Sequence, residues 1–287
     1  MNTRDLPFYE CKKGIYEIDE FGCVSVFVIV GTERALVFDT GTGTGNIRWL
    51  IENRITDKPY DIVLSHNHGG HAGGAGLFDS VWIHPMDSDW NNPCTVPEIV
   101  FRKKQAELMR LSEFRSNDVT DEEIVRPVID EPLKKRLRDG MPFYLGGRTV
   151  TLYHCPGHTD GLCVAVDNLT RTMLISDACS TNLLLGSRAE HETRQIVRIA
   201  RDSLNRLVSM HSLYGDIFNS HHTCRRFGEP LQPDILTDVL TCLEAVYEEK
   251  ADFRTVPDVR STTGGTKTVA VQNNVQISLM NQNIKYY

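Results

Sequence analysis

The 287-residue sequence has no apolar run long enough to span a bilayer. Its longest, Cys23-Val-Ser-Val-Phe-Val-Ile-Val30, falls well short of the ~20 residues a spanning helix needs, so no membrane partner is expected. C-x-x-C pairs are missing too. The 8 cysteines (Cys11, Cys23, Cys94, Cys155, Cys163, Cys179, Cys224, Cys242) are scattered, and free thiols buried as small hydrophobes are the expectation. Long stretches of Lys and Arg are absent as well. With a net charge of −7 there is no basic face for phosphate contacts, which argues against a nucleic-acid partner; "RKK" at 102–104 and "KKRLR" at 134–138 read as solvated helix faces. The first residues, "MNTRDLPFYE", lack the basic-then-apolar order of a secretory signal, and a cytoplasmic location is expected. No short repeat or low-complexity segment is visible.

What is present is enough apolar content, 40%, for a sizeable core. The first 40 residues read as a β-meander, with "GIYEID", "CVSVFVIV" and "RALVFD" separated by turn signals. "NIRWLIENRI" has helical spacing, "YDIVLS" is a short buried strand, and "VWIHP" is a strand stopped by Pro85. From Pro97 to about Gly140 the composition becomes charged and Leu-containing, with a capping-box pattern at Thr120, and predicts a helical insertion. Strands resume with "PFYLGG", "RTVTLYH", "LCVAVDN" and "TRTMLIS". Amphipathic helices at 191–210 and 233–250 flank the short strand "GDIFNS", and the tail "TKTVAVQNNVQISLMN" predicts a hairpin. Two halves, each with strands and then helices, predict an α/β sandwich in a single domain over residues 1–287.

Chemistry concentrates at strand ends. "LSHNHGGHAGG" places His66, His68 and His71 within six residues, directly after a buried strand. Imidazole suits zinc and other borderline metals, and His66 and His68 point the same way if the backbone between them is extended. "HCPGHTDG" sets His158 in a Pro-Gly turn, "MLISDACS" sets Asp177 after another strand, and "DIFNSHHTC" does the same for His221 and His222. Singly, each has an ordinary reading as a turn residue, a cap or a half-buried histidine; together they point to metal ligation. The glycines of "DTGTGTGN" do not have the G-x-G-x-x-G spacing of a phosphate cradle and read as a turn that frees Asp39. Arg225 and Arg226 read as solvent-facing charge, with an anionic substrate as the alternative.

The order "FDTG", "HNHGGH", "PGHTDG", "ISDA", "NSHH" resembles the metallo-β-lactamase superfamily, including its glyoxalase II and lactonase members. That resemblance implies an αββα sandwich with metals in a cleft at the sheet edges. By it, His66, His68 and His158 would hold a first metal, Asp177 would bridge, His71 and His221 would hold a second, and Asp39 would support the site from behind. Asp177 and His221 would also serve the reaction. Where the family has Asp between its second and third histidines, this chain has Gly70, so the second site keeps only His71, His221 and the shared Asp177. The cofactor implied is zinc, one ion tight and a second weaker, with iron or manganese as alternatives. The activity implied is hydrolysis of a small anionic ester, thioester, lactone or phosphodiester by metal-activated water. Two rivals stand beside it: a mononuclear iron oxidoreductase or dioxygenase using His68, His158 and Asp177, and a catalytically weakened member that binds a ligand. A small-molecule substrate is expected, and a homo-oligomer is compatible with the sequence.

Overall fold

In the computed structural model, which describes residues 5–22, 24–88, 124, 128, 131–186, 193–222, 224–257 and 266–279, the chain opens with four antiparallel strands. These are β1 (Phe8–Lys12), β2 (Ile15–Glu20), β3 (Val24–Val30) and β4 (Ala35–Phe38). Asn46 caps the helix α1 (Ile47–Leu50) through its side chain, and a π-helical turn over Ile51–Ile55 continues it. Next come β5 (Tyr60–Val63), the single turn α2 (Gly69–Ala72), β6 (Ser80–Ile83) and β7 (Leu133–Arg136). The order β1-β2-β3-β4-β5-β6-β7 makes one seven-stranded sheet, parallel from β4 onward.

A second sheet is built from β8 (Met141–Tyr144), β9 (Thr149–His154), β10 (Cys163–Asp167) and β11 (Thr172–Leu174). After β12 (Asn182–Leu185) and helix α3 (Thr193–Ser209), strand β13 (Asp216–Phe218) pairs parallel to β11 and completes the order β13-β11-β10-β9-β8. Helix α4 (Ile235–Tyr247) leads to β14 (Asp252–Pro257) and the hairpin β15 (Thr266–Gln272) and β16 (Val275–Leu279). These three strands join β12 in a small third sheet, ordered β12-β16-β15-β14.

Period-2 alternation decides the layers, because successive side chains of a strand face opposite ways. On β3, Phe27 and Ile29 join Leu36, Phe38, Val150, Leu152, Ala165 and Phe218 in the core between the two large sheets. Val26 and Val28 face the other way and pack with Ile47, Leu50 and Ile51 of the first helical segment. On the far side, Val164, Val166 and Met173 meet Val197, Ala200, Leu204 and Leu207 of α3 and Leu236, Val239 and Leu243 of α4. The outcome is helix, sheet, sheet, helix, the αββα sandwich expected. No helix of the described residues is long and apolar enough to cross a membrane.

One expectation is corrected, and another is corrected in part and otherwise falls outside the described residues. Within "KKRLR", Lys134–Arg136 are not a helix face but part of β7, paired parallel to β6 from Ser80↔Leu133 to Ile83↔Arg136. Lys135 lays its ammonium 5.3 Å from the Trp82 ring centre, and the charged row on this edge strand discourages pairing with another chain. The helical insertion predicted for 97–140 ends too late, since residues 131–140 hold β7 and a turn rather than helix; the rest of it, with the Thr120 cap and "RKK", lies outside the described residues apart from positions 124 and 128.

Candidate metal centre

All the strand ends singled out by the sequence meet at one edge of the sandwich. Asp39 follows β4, His66 and His68 follow β5, His158 lies in the β9–β10 turn, Asp177 follows β11 and His221 follows β13. Asp39 is fully buried with φ of 70°, in the left-handed region. Its carboxylate accepts from Ser65 N at 2.7 Å, Ser65 Oγ at 2.9 Å and His71 Nδ1 at 2.8 Å. Thr40 donates through both its backbone N–H and its hydroxyl to the His71 carbonyl, at 2.7 and 2.8 Å. His71 is therefore gripped at both ends, and with Nδ1–H committed to Asp39 its Nε2 is the atom presented to the cleft.

His66 is buried, with Nδ1 2.9 Å from Ser65 Oγ, while Nε2 has no hydrogen-bond partner among the described residues. His68 Nδ1 lies 2.8 Å from His158 Nε2. His158 donates from Nδ1 to the Leu184 carbonyl at 2.7 Å, which leaves its Nε2 as the lone-pair nitrogen when the ring is neutral. The short nitrogen–nitrogen contact then needs a proton on His68 Nδ1, one that a cation would displace. Gly157 makes this turn fit. Its φ is 151°, and a Cβ there would stand 2.9 Å from Ala200 Cα, so only glycine lets α3 pack against the turn that presents His158.

Asp177 sits among the imidazoles. Its Oδ2 is 3.3 Å from His71 Nε2, 3.4 Å from His158 Nε2 and 3.9 Å from His66 Nε2. Its Oδ1 is 3.1 Å from His221 Nε2, near enough for charge pairing but without the alignment of a hydrogen bond. Burial works against the Asp177 charge, yet His221 and His71 outweigh it and hold the carboxyl well below the usual carboxylate range. For His71, burial opposes the imidazolium, but Asp177 and Asp39 on either side push it up to about 10. Burial, reinforced by His71, His68 and His158, drives His66 well down. His66 is thus kept neutral and lone-paired, while His71 carries positive charge between the carboxylates of Asp177 and Asp39.

These donors fit a metal. His66, His68 and His158 form one set, and His66, His71 and Asp177 a second, with the ligand atoms in each within 4.8 Å of one another; no other such group occurs among the described residues. The unpartnered Nε2 of His66 belongs to both. A buried polar atom left unpaired costs about 1–3 kcal/mol, a cost that a cation at that position removes. Gly70 lies in α2 with an intermediate exposure; its φ is outside the left-handed region, and a Cβ there would meet nothing within 4 Å.

Other residues find different places. His222 bonds Ser25 Oγ at 2.7 Å and lies 3.1 Å from Glu17 Oε1, away from the metal cluster. Arg225 corrects the sequence reading: it is buried, neither solvent-facing nor open to substrate, and its guanidinium pairs with Glu17 at 2.5 Å over the Phe27 and Phe218 rings. The glycine-rich loop does cradle an anion, but an internal one, since Thr42 N and Gly45 N donate to the buried Glu20 carboxylate at 2.5 and 2.9 Å. Cys155 and Cys179 are core thiols; burial pushes Cys155 up to about 12 and Cys179 well above its ordinary value, so neither offers a thiolate. Two serines escaped sequence reasoning. Ser65 Oγ touches Asp39, His66 and Ser176 Oγ, the last at 2.8 Å, and Ser176 holds a left-handed φ of 49° beside Asp177. The position of Ser65 directly before His66 was the one available signal.

Comparison with known proteins follows the same outline. The model of the metallo-beta-lactamase superfamily matches residues 19–182, more than half of the chain. The human acyl-coenzyme A thioesterase MBLAC2 is 25% identical over 165 residues, covering 53% of this chain and 56% of that protein. Its Bos taurus counterpart is 24% identical over the same length. The match thus spans about half the length of these curated relatives. Among solved structures, a metallo-beta-lactamase family protein from Thermus thermophilus aligns with a TM-score of 0.55 at 19% identity, over 82% of this chain and 81% of that one. A sec-alkylsulfatase from Pseudomonas sp. aligns with a TM-score of 0.60 at 14% identity, over 85% of this chain and 42% of that one.

Proposed function

The chain belongs to the metallo-β-lactamase superfamily, and from that premise we propose that it is a zinc-dependent hydrolase acting on a small anionic thioester or ester. The observation that carries this reading is the convergence of four imidazoles, His66, His71, His158 and His221, on Asp177, with His68 beside His158 and one buried nitrogen left for a cation. His66, His68 and His158 would hold the tighter ion, and Asp177, His71 and His221 would serve a weaker position. Zinc at such a site would supply a water of near-neutral pKa and Lewis acidity toward the electrophilic carbonyl. The chain's own residues do the rest. Leu184 O and Asp39 fix the tautomers of His158 and His71, so that each presents Nε2. Asp177, kept ionised, would accept a hydrogen bond from the attacking water and so orient it. His221, with 31% of its side chain exposed, is the imidazole open to the leaving group. The named activity of MBLAC2 favours thioester over lactone and phosphodiester among the substrates considered.

The test is hydrolysis of acyl-coenzyme A thioesters, an aryl ester, a lactone and an aryl phosphodiester, before and after metal stripping and zinc return. Thioester cleavage that disappears on stripping and returns with zinc is expected. Metal-loaded protein that cleaves none of them overturns the hydrolase reading and favours the binding one. Gly70 keeps the iron alternative in view, because a site with one full donor set suits a mononuclear centre. Bound iron with oxygen uptake would select it.

A further inference from the structure

We propose that Asp87 is a positioning residue for the metal centre, fixing the turn that carries His158 against the loop that carries His66 and His68. The inference rests on the reading of those three histidines as ligands. Asp87 ends a single 3₁₀ turn, Pro85–Asp87, just past β6, and is only 2% exposed. A carboxylate so buried is tolerated when hydrogen bonds reach its oxygens, and here the turn of His158 supplies two of them. Oδ2 accepts from Thr159 Oγ1 at 2.5 Å and Oδ1 from Gly161 N at 2.9 Å. The Asn67 backbone N–H also reaches the carboxylate. Asn67 stands between His66 and His68, and Thr159 directly follows His158.

The approach is built into the turn. A Cβ on residue 161 would lie 2.7 Å from the Cβ, Cγ and N of Asp87, so the carboxylate reaches the turn only because Gly161 has no side chain. A backbone bond from Cys163 N to Ser65 O, 2.8 Å, joins the same two segments at their base. Asp87 closes them nearer the ligands, where His68 Nδ1 and His158 Nε2 stand 2.8 Å apart. None of its hydrogen bonds goes to the segments bearing His71, Asp177 or His221. Its influence is therefore greatest on the set of His66, His68 and His158, all three of which stand on the segments it joins, whereas the second set shares only His66.

The experiment compares the wild-type protein with Asp87→Ala, Asp87→Asn and Thr159→Val. Each is stripped of metal and titrated with cobalt(II), whose visible bands report coordination geometry. Partners that hold metal ligands in place matter at about 10- to 100-fold in metal affinity. Asp87→Ala should weaken the first cobalt step by that order and alter its bands, with the second step little changed. Asp87→Asn keeps one acceptor oxygen and Thr159→Val removes a single contact, so both should fall between; they carry the test if the alanine variant does not fold. Melting of the metal-free proteins is followed in parallel. Variants that lose stability yet bind cobalt with wild-type affinity and spectrum overturn the proposal and leave the metal reading standing. A wild-type protein that takes up no cobalt overturns both.

Discussion

Gly70 is the residue at which this chain departs most sharply from its family's pattern, and the structure says what restoring the carboxylate would meet. There is open space around its Cβ direction and no left-handed backbone to oppose a side chain. Gly70→Asp should therefore fold normally, add an oxygen donor beside His71 and Asp177, and tighten the second metal by about tenfold or more. Zinc titration against a competing chelator measures this as a strengthened second step. Two equally tight steps in the unmodified protein would show that another residue already supplies the missing ligand. At this scale much of the site was legible, because few residue types bind zinc and all six ligand candidates lie just past strands. His66, His68, His71, His158, Asp177 and His221 come together as one cluster. Ser65 and Asp87 were not legible, since serine and aspartate have many ordinary uses and only burial shows what they hold. Arg225 was misread for the same reason: its partner Glu17 lies 208 positions away in the chain.

That pair matters at the level of elements. Arg225 also donates to the Asn219 carbonyl at 2.6 Å, and Ser25 N to the Ser220 carbonyl at 2.8 Å. The connection after β13, which carries His221, is thus moored to β2 and β3. Burial alone would raise the Glu17 pKa, but hydrogen bonds from His222 and Arg225 and the guanidinium charge bring it down from 4.5 to about 2. A group whose folded pKa is depressed adds stability above its unfolded pKa, and that stability is lost as pH falls towards the folded value. The Glu17 contribution should accordingly be complete above about pH 4.5 and vanish on approach to pH 2. Glu17→Gln should be less stable at neutral pH by about 3–5 kcal/mol, the usual loss on breaking a buried pair, and show a shallower fall across that window. Denaturant melts at a series of pH values measure both, and an equally steep acid loss in the variant would contradict the assignment. Strand and helix identities were legible where periodicity was strong, as in β3, α3 and α4. They failed at β7, whose lysines suit an exposed helix as well as an edge strand, and at β12 and β14. β12 is placed by a partner distant in sequence, β16, while β14 pairs with the next strand, β15, and has no strong alternation of its own.

For the whole molecule, the sandwich is a device for bringing five separate strand ends to one edge. Its two large sheets are stitched by the core around Phe27, Phe38 and Phe218 and by Arg148. That guanidinium pairs with Asp167 at 2.6 Å and donates to the carbonyls of Lys13, Gly14 and Val30. The layer order was legible from alternating halves of strand and helix. The third sheet was not, because nothing local to β12 announces its parallel partner β16. The central claim, that this edge holds a metal on His66, His68 and His158 with Asp177, is tested most directly by elemental analysis. The protein is purified without added metal or chelator, beside His68→Ala. The account predicts about one tightly held zinc per wild-type chain, most of it lost in the variant together with thermal stability, since a ligand that binds only the folded state stabilises it. Equal metal content in the two proteins, or none in the wild type, would contradict it.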